Sequence, residues 1–179
     1  LRPFVAAIFC RWTTQRRRFA IALKTLAQSR QSFSCIKLSA EKLTNGVLKM
    51  QGICHCGRVT WKLDTPPESV TACNCTLCRR YGVLWAYGYI GHDIHTSGET
   101  TSYRRPDGGT IDFHFCQTCG CVTHYVATVP EADGRHWTAV NLRLTEPEAI
   151  ADLPIDHFDG LDSFDDLPRD SRRVSDMWF

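Results

Sequence analysis

Seven of the ten cysteines fall into three short clusters, Cys54-His-Cys56, Cys73-Asn-Cys75-Thr-Leu-Cys78 and Cys116-Gln-Thr-Cys119. Thiols one or two residues apart can turn onto a single ion, so this spacing predicts bound metal, and bound metal restricts the folds the chain can adopt. Sites made only of thiolates suit zinc best. Seven ligands divide into a closed set of four and an open set of three. Structural zinc is normally saturated by four protein ligands, whereas catalytic zinc keeps a position free. The count therefore predicts two zinc ions, one structural and one catalytic.

Geometry suggests the grouping. A Cys-X-Cys at the start of one strand and a Cys-X-X-Cys at the end of a later one can converge from two turns, which assigns Cys54, Cys56, Cys116 and Cys119 to the closed site. The contiguous Cys73, Cys75 and Cys78 can wrap one ion within a single loop and leave it unsaturated. Disulfides belong to an oxidising compartment, for which no convincing export signal speaks, and an iron–sulfur cluster is a further alternative. Cys121 could substitute for Cys119, although Gly120 points to a tight turn. His55, His114 and His124 lie near the cysteines in sequence; each is expected to be solvated or to support a ligand rather than to bind metal.

Charge divides the chain near Met50. Residues 1–49 carry ten Lys/Arg against one acid, Glu41, a balance of +9, while the remainder carries eleven basic and eighteen acidic residues, a balance of −7. The Arg-rich, acid-poor segment is compatible with a transit peptide or a basic arm. The reading preferred is a basic leader, 1–49, that is non-native or disordered, followed by one zinc-binding domain, 50–179. Phe19 to Leu26 can form a short amphipathic helix, and Cys10 and Cys35 receive no role. No stretch approaches the roughly 20 apolar residues that span a bilayer.

Beyond Met50 the pattern is β. In Arg58-Val-Thr-Trp-Lys-Leu63 the residues Val59, Trp61 and Leu63 alternate with polar ones and predict a strand with one buried face. Strands are also expected at 84–90, 100–104, 111–115, 122–126 and 137–144, about seven in all and mainly antiparallel. Pro106-Asp-Gly-Gly109 predicts a hairpin turn. Thr145-Glu-Pro-Glu148 reads as a capping box opening one short helix from Glu146 to about Leu153. The acidic tail after Pro154 is expected to lie extended, with Ile155, Phe158, Leu161 and Phe164 docked on the sheet.

The segments Gly52-Ile-Cys-His-Cys-Gly-Arg-Val-Thr-Trp61, Cys73-Asn-Cys-Thr-Leu-Cys-Arg-Arg80 and Phe115-Cys-Gln-Thr-Cys-Gly120 resemble the glutathione-dependent formaldehyde-activating enzyme family, which includes the centromere protein V domain. The resemblance covers 50–179 and excludes the leader. It implies a mainly β fold, a zinc-stapled β-tent of stacked antiparallel sheets with one short helix. It also implies a structural zinc on Cys54, Cys56, Cys116 and Cys119, and a catalytic zinc on Cys73, Cys75 and Cys78. The implied activity joins glutathione and formaldehyde into S-hydroxymethylglutathione, a carbon–sulfur lyase equilibrium.

The expected partners are a small-molecule thiol and an aldehyde. Glutathione's carboxylates would call for cations near the open zinc, for which Arg79, Arg80, Arg104 and Arg105 are candidates. Tyr81, Trp85 and Tyr87 could wall a pocket. Two other readings compete: a non-catalytic two-zinc module, in which Cys121 or His55 saturates the second ion, and a chromatin-associated protein using the basic leader. The acidic balance of the domain opposes phosphate binding. Abundant free thiols fit a cytoplasmic setting, and oligomeric state is not readable from the sequence.

Overall fold

In the computed structural model, which describes residues 49–177, the alternation at Val59, Trp61 and Leu63 is buried as expected, each at 3% exposure or less. Trp61 and Leu63 belong to β2 (Thr60–Leu63), the centre of a three-stranded antiparallel sheet between β1 (Met50–Ile53) and β5 (Ile94–Ser97). The leader and its suggested helix, with Cys10 and Cys35, lie outside the described residues.

The larger sheet has eight strands. In chain order they are β3 (Val70–Cys73), β4 (Trp85–Tyr89), β6 (Thr100–Arg104), β7 (Ile111–Cys116), β8 (Val122–Ala127), β9 (Trp137–Asn141), β10 (Ile155–Phe158) and β11 (Asp166–Leu167). Across the sheet the order is β11-β10-β3-β4-β9-β8-β7-β6. Every pairing is antiparallel except β3 with β10, which run parallel. The fold is therefore mainly β with two sheets, as expected, but with more strands than the sequence pattern suggested.

Its two faces bury different cores. On one face Val70, Ala86, Val140 and Ile155 pack with Trp61, Leu63 and Ile94 of the small sheet. On the other, Trp85, Phe113, Tyr125 and Ala139 pack beneath Leu77 and Cys78 of a short helix, α1 (Cys78–Tyr81). Successive side chains in a strand point to opposite faces, so Trp85 and Ala86 serve the two cores in turn.

Four expectations are corrected. The strand expected over 137–144 ends at Asn141, and Leu142–Leu144 forms a 3₁₀ turn closed by the Thr145 amide. The Thr145 amide is thus occupied, its hydroxyl bonds to nothing among the described residues, and the helix α2 (Pro147–Ile150) starts at Glu146 without a side-chain cap, so no capping box forms. α2 is also not the only helix among the described residues, because α1 precedes it. The tail does not simply dock: β10 joins the sheet beside β3, Ile155 is buried, and Leu161 and Phe164 are exposed.

Two candidate metal centres

The first centre sits where the two sheets meet. Cys54 follows β1, Cys56 lies in the turn to β2, Cys116 ends β7, and Cys119 lies in the turn to β8. All four sulfurs fall within 4.8 Å of one another. Two turns, each closed by a glycine amide, hold them. Gly57 N–H donates to the Cys54 carbonyl and Gly120 N–H to the Cys116 carbonyl, both at 2.9 Å. Each of these glycines has positive φ, 81° and 72°, a conformation that glycine adopts without a Cβ penalty. The two turns also touch, with the Arg58 guanidinium donating to the Thr118 hydroxyl at 3.2 Å.

Backbone donors face these sulfurs. Val59 N–H donates to Cys54 Sγ at 3.2 Å. The amides of Cys121 and Cys56 pull the Cys119 thiol down to about 5, and those of Cys119 and Thr118 lower Cys116. Donors aimed at a sulfur favour its anionic form, the form that binds metal. The separations Cys54–Cys56, 3.6 Å, and Cys56–Cys116, 3.5 Å, approach the about 3.8 Å edge of a tetrahedron with zinc–sulfur bonds of about 2.3 Å. The donor set fits zinc.

The second centre is local. Cys73 ends β3, Cys75 lies in the turn that follows, and Cys78 opens α1. Their three sulfurs again lie within 4.8 Å, and no fourth His, Cys, Asp or Glu joins them among the described residues. Cys75 N–H donates to Cys73 Sγ at 3.4 Å, and Cys78 N–H to Cys75 Sγ at 3.3 Å. Trp85 Nε1–H donates to Cys78 Sγ at 3.4 Å from the core below. A bond from the Cys78 thiol, with backbone donors, brings Cys73 down to about 6 against its burial, while Cys78 is pushed up by that pairing and by burial.

The eight described cysteines are all free thiols. Cys121 lies beside the first centre, its thiol raised by burial and opposed by the His55 amide; neither Cys121 nor His55 joins the second sulfur group. His114 and His124 face each other across β7 and β8 with rings stacked at 4.5 Å. Burial lowers both, His124 to about 3, and neither belongs to a sulfur group.

The four arginines divide. Arg104 forms a two-pronged pair with Asp112 at 2.8 and 2.7 Å, and Arg105 pairs with Asp107. Arg79 is exposed. Arg80, which donates to the Thr76 carbonyl, lines a cavity of about 430 Å³ with Arg105, Tyr81 and Tyr103. Trp85 is core, whereas Tyr87 is half-exposed and stacks on Trp137 at 5.5 Å and 14°. Sequence reasoning missed the hydrogen bond that Trp85 donates to the Cys78 sulfur. A tryptophan seven residues after Cys78 carried no signal beyond core.

The family model for glutathione-dependent formaldehyde-activating enzyme matches residues 49–148, more than half the chain. The chain belongs to this family. All seven clustered cysteines of this glutathione-dependent formaldehyde-activating family member fall inside the matched segment, whereas β10 and the loop after it fall outside. No curated protein matches the chain. Among the described residues, no helix is long and apolar enough to cross a membrane.

Proposed function

We propose that this protein is a zinc-dependent enzyme of the carbon–sulfur lyase type that makes or breaks thiol–aldehyde adducts, with glutathione and formaldehyde as the first pair to test. The observation that carries the reading is the group of three sulfurs with no fourth ligand among the described residues, in contrast to the group of four. Cys54, Cys56, Cys116 and Cys119 would hold the structural ion, and Cys73, Cys75 and Cys78 the catalytic one. Zinc held by the triad supplies the positive charge that lowers a substrate thiol's pKa at neutral pH.

In the reaction the thiol sulfur bonds to the carbonyl carbon, the C=O π pair moves to oxygen, and the thiol proton ends on that oxygen. The reverse cleaves the same C–S bond. The residues around the triad fix its shape. Trp85 anchors Cys78 from the core, and the amides of Cys75 and Cys78 orient Cys73 and Cys75. The phenols of Tyr87 and Tyr125, both raised chiefly by burial, stay protonated at neutral pH and can donate hydrogen bonds. Arg80, and Arg105 beside its partner Asp107, line the 430 Å³ cavity and offer cations for substrate carboxylates. A cytoplasmic setting suits so many reduced thiols.

The non-catalytic alternative needs Cys121 or His55 on the second ion, and both lie by the first centre. The test is zinc stoichiometry of the full chain, with X-ray absorption recorded with and without glutathione. Two zinc ions, one gaining a sulfur neighbour on adding glutathione, is the expected result. Two ions indifferent to glutathione would withdraw the glutathione assignment, and saturation of both by four protein sulfurs would withdraw catalysis.

A further inference from the structure

The tail beyond the family-matched segment returns to the second sulfur group. β10 runs parallel beside β3 and places Phe158 opposite Cys73. Next comes a loop, 159–165, tied together by one carboxylate. Asp159 accepts from the amides of Leu161, Asp162 and Ser163 at 3.2–3.3 Å and from the Ser163 hydroxyl at 3.1 Å. The same carboxylate accepts from Asn74 Nδ2 at 2.8 Å, and the Asn74 side-chain oxygen accepts from Leu161 N–H at 3.0 Å. Asn74 N–H in turn donates to the Phe158 carbonyl at 3.2 Å.

Asn74 is the residue between Cys73 and Cys75. Two hydrogen bonds therefore join the loop, and a third joins the end of β10, to the middle of the cysteine turn, with Gly160 close against it. A Cβ on Gly160 would lie 2.6 Å from Cys73 Sγ and 3.0 Å from Cys75 Cβ. The Gly160 amide itself donates to the Phe158 carbonyl at 3.1 Å, which fixes the backbone at this close approach. Only a residue without a side chain fits there.

We propose that Asn74, Asp159 and Gly160 are positioning residues for the second metal, clasping the loop 159–165 onto the cysteine turn so that bare backbone closes against Cys73 and fixes its sulfur for coordination. The inference rests on reading Cys73, Cys75 and Cys78 as a metal site. It adds residues that the family match does not reach, Asp159 and Gly160. Partners that orient a metal ligand from outside the coordination shell typically contribute about 10–100-fold in metal affinity.

Cobalt(II) titration of the full-length, metal-stripped, reduced chain tests this by optical absorption. The parent takes up two equivalents with tetrahedral thiolate spectra. Asp159→Ala and Gly160→Ala are expected to weaken the second equivalent about 10–100-fold and alter its ligand-field bands, leaving the first unchanged. Asp159→Asn, whose side-chain oxygen still accepts, should restore part of the loss. Asp162→Asn, a neighbour whose side chain makes no such bond, should change nothing. A second equivalent bound by Asp159→Ala and Gly160→Ala as tightly as by the parent, with unchanged bands, overturns the proposal. If Asp159→Ala also loses the first equivalent, Asn74→Ala decides, because it leaves the loop's own bonds intact. A weakened second equivalent there supports the clasp and an unchanged one overturns it. A parent that takes up only one equivalent instead overturns the metal reading of the triad itself.

Discussion

Cys56 and Cys116 lie 60 residues apart and belong to turns of different sheets, whereas Cys73, Cys75 and Cys78 occupy six consecutive residues of one turn. The chemistry is the same, thiolate sulfur with backbone donors behind it, but the consequences for the chain differ. An ion shared by distant turns closes a long loop and so restricts the unfolded ensemble most. An ion within a single turn closes almost nothing. On the proposed reading, an ion at the first centre would act on the whole fold, and one at the second would be free for chemistry. Span in sequence, more than the number of sulfurs, separates a staple from a reactive centre.

The widest gap between the two should come from single ligand changes. Cys116→Ser is expected to leave the domain unfolded, since metal binding and folding are coupled at such sites; far-UV circular dichroism and zinc content of the purified chain report it. Trp61→Ala, opening the interface of the two sheets, should destabilise by about 3–5 kcal/mol in urea while the folded fraction retains both ions. Cys75→Ser should remain folded with one zinc fewer and lose about 100-fold or more in adduct formation, read by metal analysis and a glutathione–formaldehyde assay. Equal unfolding by Cys75→Ser and Cys116→Ser would break the comparison outright.

Two smaller effects sharpen it. Trp85→Phe removes the indole donor to Cys78 but keeps an aromatic ring in the core, so affinity for the second ion should fall about tenfold, with the first unchanged by cobalt titration. Acid should act through His124, which is neutral and buried in the folded state with its pKa near 3. Once unfolded it takes up a proton at about 6.5. The unfolded state then binds more protons between those values, so this contribution is fully present above pH 6.5 and is lost as pH falls towards 3. Urea unfolding at pH 7 and pH 5 should show a smaller pH loss in His124→Gln than in the parent.

Much of this was legible in the sequence, for physical reasons. Val59, Trp61 and Leu63 announce their burial by alternation, and the two turns of the first centre announce themselves by a close pair of cysteines followed by glycine. What was hidden is tertiary. α1 is four residues long and is held by the Cys75–Cys78 turn rather than by propensity, so no periodicity could show. Thr145 carried a capping signature that a neighbouring 3₁₀ turn used first. The acids of the extended tail were expected to be solvated, yet the Asp159 carboxylate organises a loop whose partner, Asn74, lies 85 residues away. Polar side chains that bond to distant backbone leave no local pattern to read.

The parallel pairing of β10 with β3 also orders events in time. Contacts between residues far apart in sequence form slowly, because closing the intervening chain must precede the bonds that reward it. Val70 and Ile155 meet across that pairing, so β3, which can pair early with β4, gains its second neighbour only when nearly the whole domain has been made. The turns of the first centre are complete once Cys119 has emerged. During synthesis the staple can therefore close before the second centre acquires its wall, and a chain cut short after α2 would carry the cysteines of both centres but only one finished pocket.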